Sequence, residues 1–163
     1  MTTGMQNLAV TKSVTVRAGR ERAFTVFAEK FVTWWPAGHH IGAAELADAI
    51  IEPRAGGRWY ERGVDGVECD WGQVLAYDPP QRLLLSWHLQ GDWSYDPDPA
   101  KASEIEVRFI AEAPDRTRVE VEHRHIERHD DADEVVRGID SPGGWGDILA
   151  AYVEVAAQGT ESA

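Results

Sequence analysis

From Ser103 to His125 the chain alternates apolar and charged residues through two successive segments, SEIEVRFIAEA and RTRVEVEHRH, joined at Pro114 and Asp115. This period-two pattern predicts an antiparallel hairpin with one dry face and one wet face. The dry face must be covered, and the sequence supplies a cover. Trp145, Ile148, Leu149, Tyr152, Val153 and Ala156 recur at the helical period, after Ser141 as N-cap and Pro142 at the first helical position. A run of half-wet strands followed by one amphipathic helix is constrained to wrap a curved sheet around that helix.

The earlier segments extend the sheet. Leu8 to Val16 alternates and predicts a first strand, with Lys12 sharing the face of Leu8, Val10, Val14 and Val16. Phe24, Phe27, Phe31 and Trp34 then fall at helical spacings and predict two short helices, ended by Pro36. Short strands follow in DAIIE and RWYER, with a turn at PRAGG and hairpin chemistry in GVDG. In VECDWGQVLAY, strict alternation puts Val67, Cys69, Trp71, Leu75 and Tyr77 on one side, with Gln73 among them. RLLLSWHLQ groups Leu83, Leu85, Trp87 and Leu89, and GDWSYDPDPAKA reads as a polar loop. HDDADEVVRGID predicts a short helical or irregular link, and the tail QGTESA should fray. No linker, repeat or low-complexity stretch divides the chain, so residues 1–163 are expected to form one domain with its core in about 8–157.

Charge and composition narrow the partners. A net charge of −12 opposes nucleic acid and anionic lipid surfaces, and no run approaches the length of a membrane span. Cys69 is the only cysteine, which excludes an internal disulfide and suits a reducing cytoplasm. The opening MTTGMQNLAV has neither the basic start nor the apolar stretch of an export signal, so a cytoplasmic location is expected. Seven tryptophans are many for this length, and most fall in or beside predicted strands.

Taken in order, FTVFAEKFVTWW, IIEPRAGGRWYERG, WGQVLAYDPPQRLLLSW and a helix opening PGGWGDIL resemble the SRPBCC superfamily, the START-like, helix-grip proteins. Within it the chain most resembles the branch named after the C-terminal domain of the activator of heat-shock protein 90 ATPase. The resemblance runs from about Leu8 to Ala157 and is strongest in EPRAGGRW and DPPQRLLLSW. It implies an α+β helix-grip fold, with about seven curved antiparallel strands around the C-terminal helix and a cavity between them. Superfamily members include lipid carriers, hormone binders, polyketide cyclases and co-chaperone domains, and function rides on the cavity residues. No catalytic motif is shared across the branch, so none is carried over.

The cavity candidates are Trp34, Trp59, Glu61, Trp71, Trp87, His123, His125 and Trp145. The tryptophans either pack the core or form a flat apolar wall for a ring-containing ligand. Trp34, Trp35 and the AGHH segment would form the mouth, with His39 and His40 exposed in the loop. Glu61 either sits at the rim in water or lies inside, paired with a histidine or arginine. Val119, Val121, His123 and His125 should share the inner face of the last strand, with Glu120, Glu122 and Arg124 outside. The two histidines read as packed residues, as ligand contacts or as metal ligands. Zinc wants three or four ligands and His-x-His gives two, which Cys69, His129, Asp130 or Glu61 would have to complete, so no metal or other cofactor is expected. Cys69 alternates with Trp71 and reads as core, and no nucleophile elbow, phosphate loop or dinucleotide fingerprint occurs.

The function expected is binding of a small hydrophobic or aromatic molecule, with Glu61, His123 and His125 fixing its polar end. A cyclase or dehydratase using a histidine–carboxylate pair is the alternative. A co-chaperone role rests on the family name alone, and a full activator is expected to carry a further N-terminal domain. A symmetric dimer is allowed, but no residue selects it.

Overall fold

The computed structural model describes residues 9–35, 39–90, 94–140 and 144–161, with side chains to residue 157. In chain order it contains β1 (Val10–Val16), α1 (Arg20–Ala28), β2 (Leu46–Ile51), β3 (Arg58–Gly63), β4 (Glu68–Asp78), β5 (Arg82–Trp87), β6 (Ser103–Ala113), β7 (Arg116–Arg124), α2 (Ala132–Ile139) and α3 (Trp145–Glu161). The strands form one antiparallel sheet in the order β1-β7-β6-β5-β4-β3-β2. This is the helix-grip architecture. The second of the two short helices predicted after β1 is a single 3₁₀ turn, Phe31–Thr33, and the link after β7 contains the regular helix α2. Pro36, Ser141 and Pro142 lie outside the described residues.

The helical stripe of α3 is buried as its period requires, with Trp145, Ile148, Leu149, Tyr152 and Ala156 all at or below 5% exposure. It packs against β1 and α1. Two hydrogen bonds fix its far end, from Tyr152 Oη to the Ala23 carbonyl (2.7 Å) and from Arg22 Nε to the Ala156 carbonyl (3.1 Å). Phe24, Phe27 and Phe31 enter the same core from the other side. No described helix is long and apolar enough to cross a membrane.

Strict alternation fails in β4. The pairing slips by one residue against β3 at Trp59/Tyr60 and against β5 at Val74/Ala76. Each slip inserts an extra residue, so the inward set becomes Trp71, Val74 and Tyr77 rather than Trp71, Leu75 and Tyr77. Val74 is buried, whereas Leu75 and Val67 are exposed, at 41% and 56%. Gly72 lies at the first slip, where a Cβ would run into the Ser86 carbonyl, so only glycine lets β4 approach β5 there.

Candidate functional site

The concave face of the sheet is lined by tryptophan. Trp59 of β3, Trp71 of β4 and Trp87 of β5 form a row, with ring centroids 5.4 Å apart for Trp59–Trp71 and 5.5 Å for Trp59–Trp87. Trp35 stands over Trp71 at 5.2 Å and stacks on Phe31. Trp145, on the first turn of α3, closes the row from the helix side, 6.4 Å from Trp35. Trp34 packs behind it on Phe27 and Tyr152. All six of these indoles are at or below 5% exposure.

Among the described residues a space is left at one end of the fold, where the end of β5, Trp35, His39, α2 and the start of α3 meet. It is a cleft of about 50 Å³, enough for a few waters. Trp35, Trp87 and Trp145 wall it, and His39 and Gln90 stand at one side. Glu134, Val135, Gly138 and Ile139 of α2 close the other, with Ile148 at its base. Of the eight cavity candidates, Trp87 and Trp145 line this cleft directly, and Trp34, Trp59 and Trp71 pack behind it.

Glu61 is 1% exposed and lies inside the fold, but its partners are neither histidine nor arginine. It accepts the backbone N–H groups of Ile41 (2.6 Å) and Gly42 (3.0 Å) and the Trp71 indole N–H (2.8 Å). Three donors on one carboxylate satisfy a buried anion without a cation. Glu61 thereby anchors the 39–42 loop, whose His39 lines the cleft. In that loop His39 and His40 are half-buried rather than exposed, and the Trp35 indole donates to the His39 carbonyl at 2.8 Å.

The histidines separate. β7 ends at Arg124, and His125 takes a left-handed backbone with φ 59°, opening a 3₁₀ turn over Ile126–Arg128. Its ring turns outward to within 3.5 Å of Glu127, half-exposed. Ile126 goes inward instead, fully buried with Val10, Ala132 and Val135. An apolar side chain has taken the place alternation gave to His125.

His123 stays inside at 0% exposure and joins residues from three other elements. The Trp145 indole, which can only donate, gives its N–H to His123 Nδ1 at 3.2 Å. The ring proton of His123 is therefore on Nε2, 2.7 Å from Ser103 Oγ. The Ser103 hydroxyl in turn lies 2.8 Å from His129 Nε2, closer than its alternative acceptor, the Trp87 carbonyl at 3.5 Å. Beside this chain His88 donates from Nδ1 to the Asp96 carbonyl and accepts from Ser86 at Nε2. Burial, aided by neighbouring His129, pushes the His123 pKa down to about 3. His129 is lowered too, chiefly by burial. His123 and His129 are therefore neutral imidazoles at neutral pH, and no histidine–carboxylate hydrogen bond joins His123 to Glu61. Burial, then the Glu61 charge, pushes the Cys69 thiol up, away from a thiolate nucleophile. No group of three or more His, Cys, Asp or Glu side chains among the described residues is arranged to hold a metal ion.

Ser103, Gln90 and the inner wall of α2 escape sequence reasoning. Ser103 is the first residue of β6, and no local pattern marks it as the link between two distant histidines.

The sheet, the gripped helix and the aromatic interior define a START-like, SRPBCC-type protein. The family model described as Activator of Hsp90 ATPase homolog 1-like protein matches residues 17–155, and the chain belongs to that family. Among solved structures it is 38% identical to an anthrahydroquino-gamma-pyrone synthase, Txn09, complexed with SUM (TM-score 0.64; 93% of this chain and 98% of that one). It is 35% identical to CalC, a self-sacrificing resistance protein from Micromonospora echinospora (TM-score 0.67; 91% and 93%). Protein NE0264 from Nitrosomonas europaea, 14% identical with TM-score 0.62 over 96% and 97% of the chains, shares the fold. None of the functionally curated proteins matches the chain.

Proposed function

We propose that this protein binds a flat aromatic small molecule in the cleft between Trp87 of the sheet and Trp145 of α3. The observation that carries the reading is the wall of three indoles, Trp35, Trp87 and Trp145, around a cleft left at one end of the interior. Such walls gain dispersion and ring-stacking energy from a planar ligand. The likeness to a synthase whose named product is a fused aromatic system supports the same ligand class.

A cleft of about 50 Å³ is smaller than a site for a ring system, so the ligand enters by parting α2 from α3. Helix α2 is the wall that moves at least cost. It fully buries only Ala132 and Val135, in a small cluster separate from the main core.

Titration with naphthalene, followed through the tryptophan indole N–H signals in ¹H–¹⁵N spectra, tests this. The Trp35, Trp87 and Trp145 signals should shift while those of Trp34, Trp59 and Trp71 hold. No binding, or shifts confined to other tryptophans, would sink the reading.

A second reading, ring-closing catalysis in the same cleft, is favoured by the 38% identity to that synthase. Here the protein would act by holding a substrate folded and dry, because His123 with a pKa near 3 is a weak base. Mass spectrometry of a bound compound after incubation separates the two: a carrier returns it unchanged, an enzyme does not.

A further inference from the structure

Within that reading, the polar chemistry of the cleft identifies what the aromatic ligand carries. The Trp35 and Trp145 indoles have no N–H to offer. Trp35 Nε1 is engaged by the His39 carbonyl at 2.8 Å, and Trp145 Nε1 by His123 Nδ1 at 3.2 Å. They present rings, not donors. Gln90 is different. Gln90 is among the residues that line the cleft, and its amide nitrogen, with less than 1 Å² of its surface accessible, has no hydrogen-bond partner. Its backbone is fixed just beyond β5 by the bond from Gln90 N to the Ser94 carbonyl (2.8 Å). A buried amide donor left unpaired is costly, and such groups in native proteins call for an explanation.

The charges around it decide which acceptor it takes. The described residues lining the cleft include Glu134 but no lysine or arginine, on a chain of net charge −12. A carboxylate or phosphate placed there would lose its hydration, meet a neutral donor and face a like charge. A carbonyl oxygen would lose little and complete the amide.

We infer that Gln90 is the specificity-determining residue of the cleft, donating from Nε2 to a carbonyl oxygen on an uncharged, planar aromatic ketone such as a pyrone or quinone. The inference rests on the aromatic-binding reading above, but it can fail separately from it.

Three bicyclic probes of matched size make the test: naphthalene, chromone (the carbonyl added) and chromone-2-carboxylate (the charge added). Affinities are measured by indole N–H titration on the wild-type protein and on Q90L. The wild type should bind chromone about fivefold to tenfold more tightly than naphthalene, the range of one net hydrogen bond at a site that otherwise leaves a donor unpaired. It should bind the carboxylate more weakly than chromone. In Q90L the chromone-to-naphthalene affinity ratio should fall to about one, with no loss in melting temperature, because the substitution removes an unpaired buried amide.

Equal binding of naphthalene and chromone by the wild-type protein overturns the role of Gln90 and leaves the aromatic cleft standing, whatever Q90L does. Tightest binding of the carboxylate overturns the uncharged ligand class. A ratio that persists in Q90L places the donor elsewhere. Binding of none of the three removes the aromatic reading itself, and this inference with it.

Discussion

Strands β5, β6 and β7 carry two polar networks back to back, and they are built on opposite principles. On the outer face Glu106 accepts from Arg82, from Arg108 (2.7 Å) and from Arg124 (2.7 Å). Arg108 also reaches Glu120 and Glu122, and Arg124 reaches Glu104. On the inner face the chain Trp145–His123–Ser103–His129 uses no charge at all. The difference is water. The side chains of Arg82, Arg108 and Arg124 keep 24–36% of their exposure, so ionised groups retain part of their hydration. Behind the same strands His123 retains none, and a charge there would be prohibitively costly. Alternation along one strand thus separates two dielectric environments by the thickness of a sheet.

Acidification should distinguish the faces most strongly. His123 titrates at about 3 in the fold but near 6.5 when unfolded. Between these values the unfolded chain holds more protons, so stability is full above about pH 6.5 and falls with pH. The loss from His123 should be about 3 kcal/mol between pH 6.5 and pH 4, with His129 adding in the same direction. The outer face responds lower. Burial raises the Glu106 carboxyl, but Arg82 and Arg124 outweigh it and hold the pKa below its ordinary 4.5. Its contribution is present above that value and disappears as pH falls through the folded pKa. Urea denaturation across this range should therefore show a slope above pH 4.5 that H123F largely removes. An unchanged slope in H123F would assign the effect to other groups.

Cutting the inner chain comes next. S103A leaves His123 and His129 facing each other with ring nitrogens unpaired, at a cost of about 2 kcal/mol, measured by urea midpoint and insensitive to salt. On the outer face E106Q keeps the shape and loses the charge. Its cost should be about 1 kcal/mol and should shrink in 1 M salt as screening replaces the pairs. Equal salt responses in the two variants would contradict the division between a charged outer face and an uncharged inner one. The smallest effect belongs to the slipped strand: L75S should change stability by less than about 0.5 kcal/mol, whereas V74A, in the buried position that strict alternation left out, should cost clearly more.

Much of the fold was legible because it rests on local periodicity. The wet and dry faces of β6 and β7 and the stripe of α3 follow from side-chain direction, which backbone geometry fixes residue by residue. The same rule failed where the backbone departs from period. It missed the two slips in β4, which move burial from Leu75 to Val74. It also missed the left-handed turn at His125, which brings Ile126 in and lets His129 return beneath Ser103.

The site was legible as a list of residue types and not as an arrangement. Trp59, Trp71, Trp87 and Trp145 are inside, as their spacing requires. Neither the anchoring of the 39–42 loop by Glu61 nor the unpaired amide of Gln90 has a signature in spacing. Glu61 binds a loop 19 and 20 residues away, and Ser103 joins residues 20 and 26 positions later.

By itself the sequence determined the number and kind of elements, the acidic surface and the aromatic interior, since these depend on neighbours within a turn or a pleat. Only the tertiary structure decided which histidine meets which hydroxyl, which indole keeps a free face and where the interior stays open. Those outcomes are set by contacts between elements far apart in the chain, where one shifted residue in a strand reverses which side chains meet.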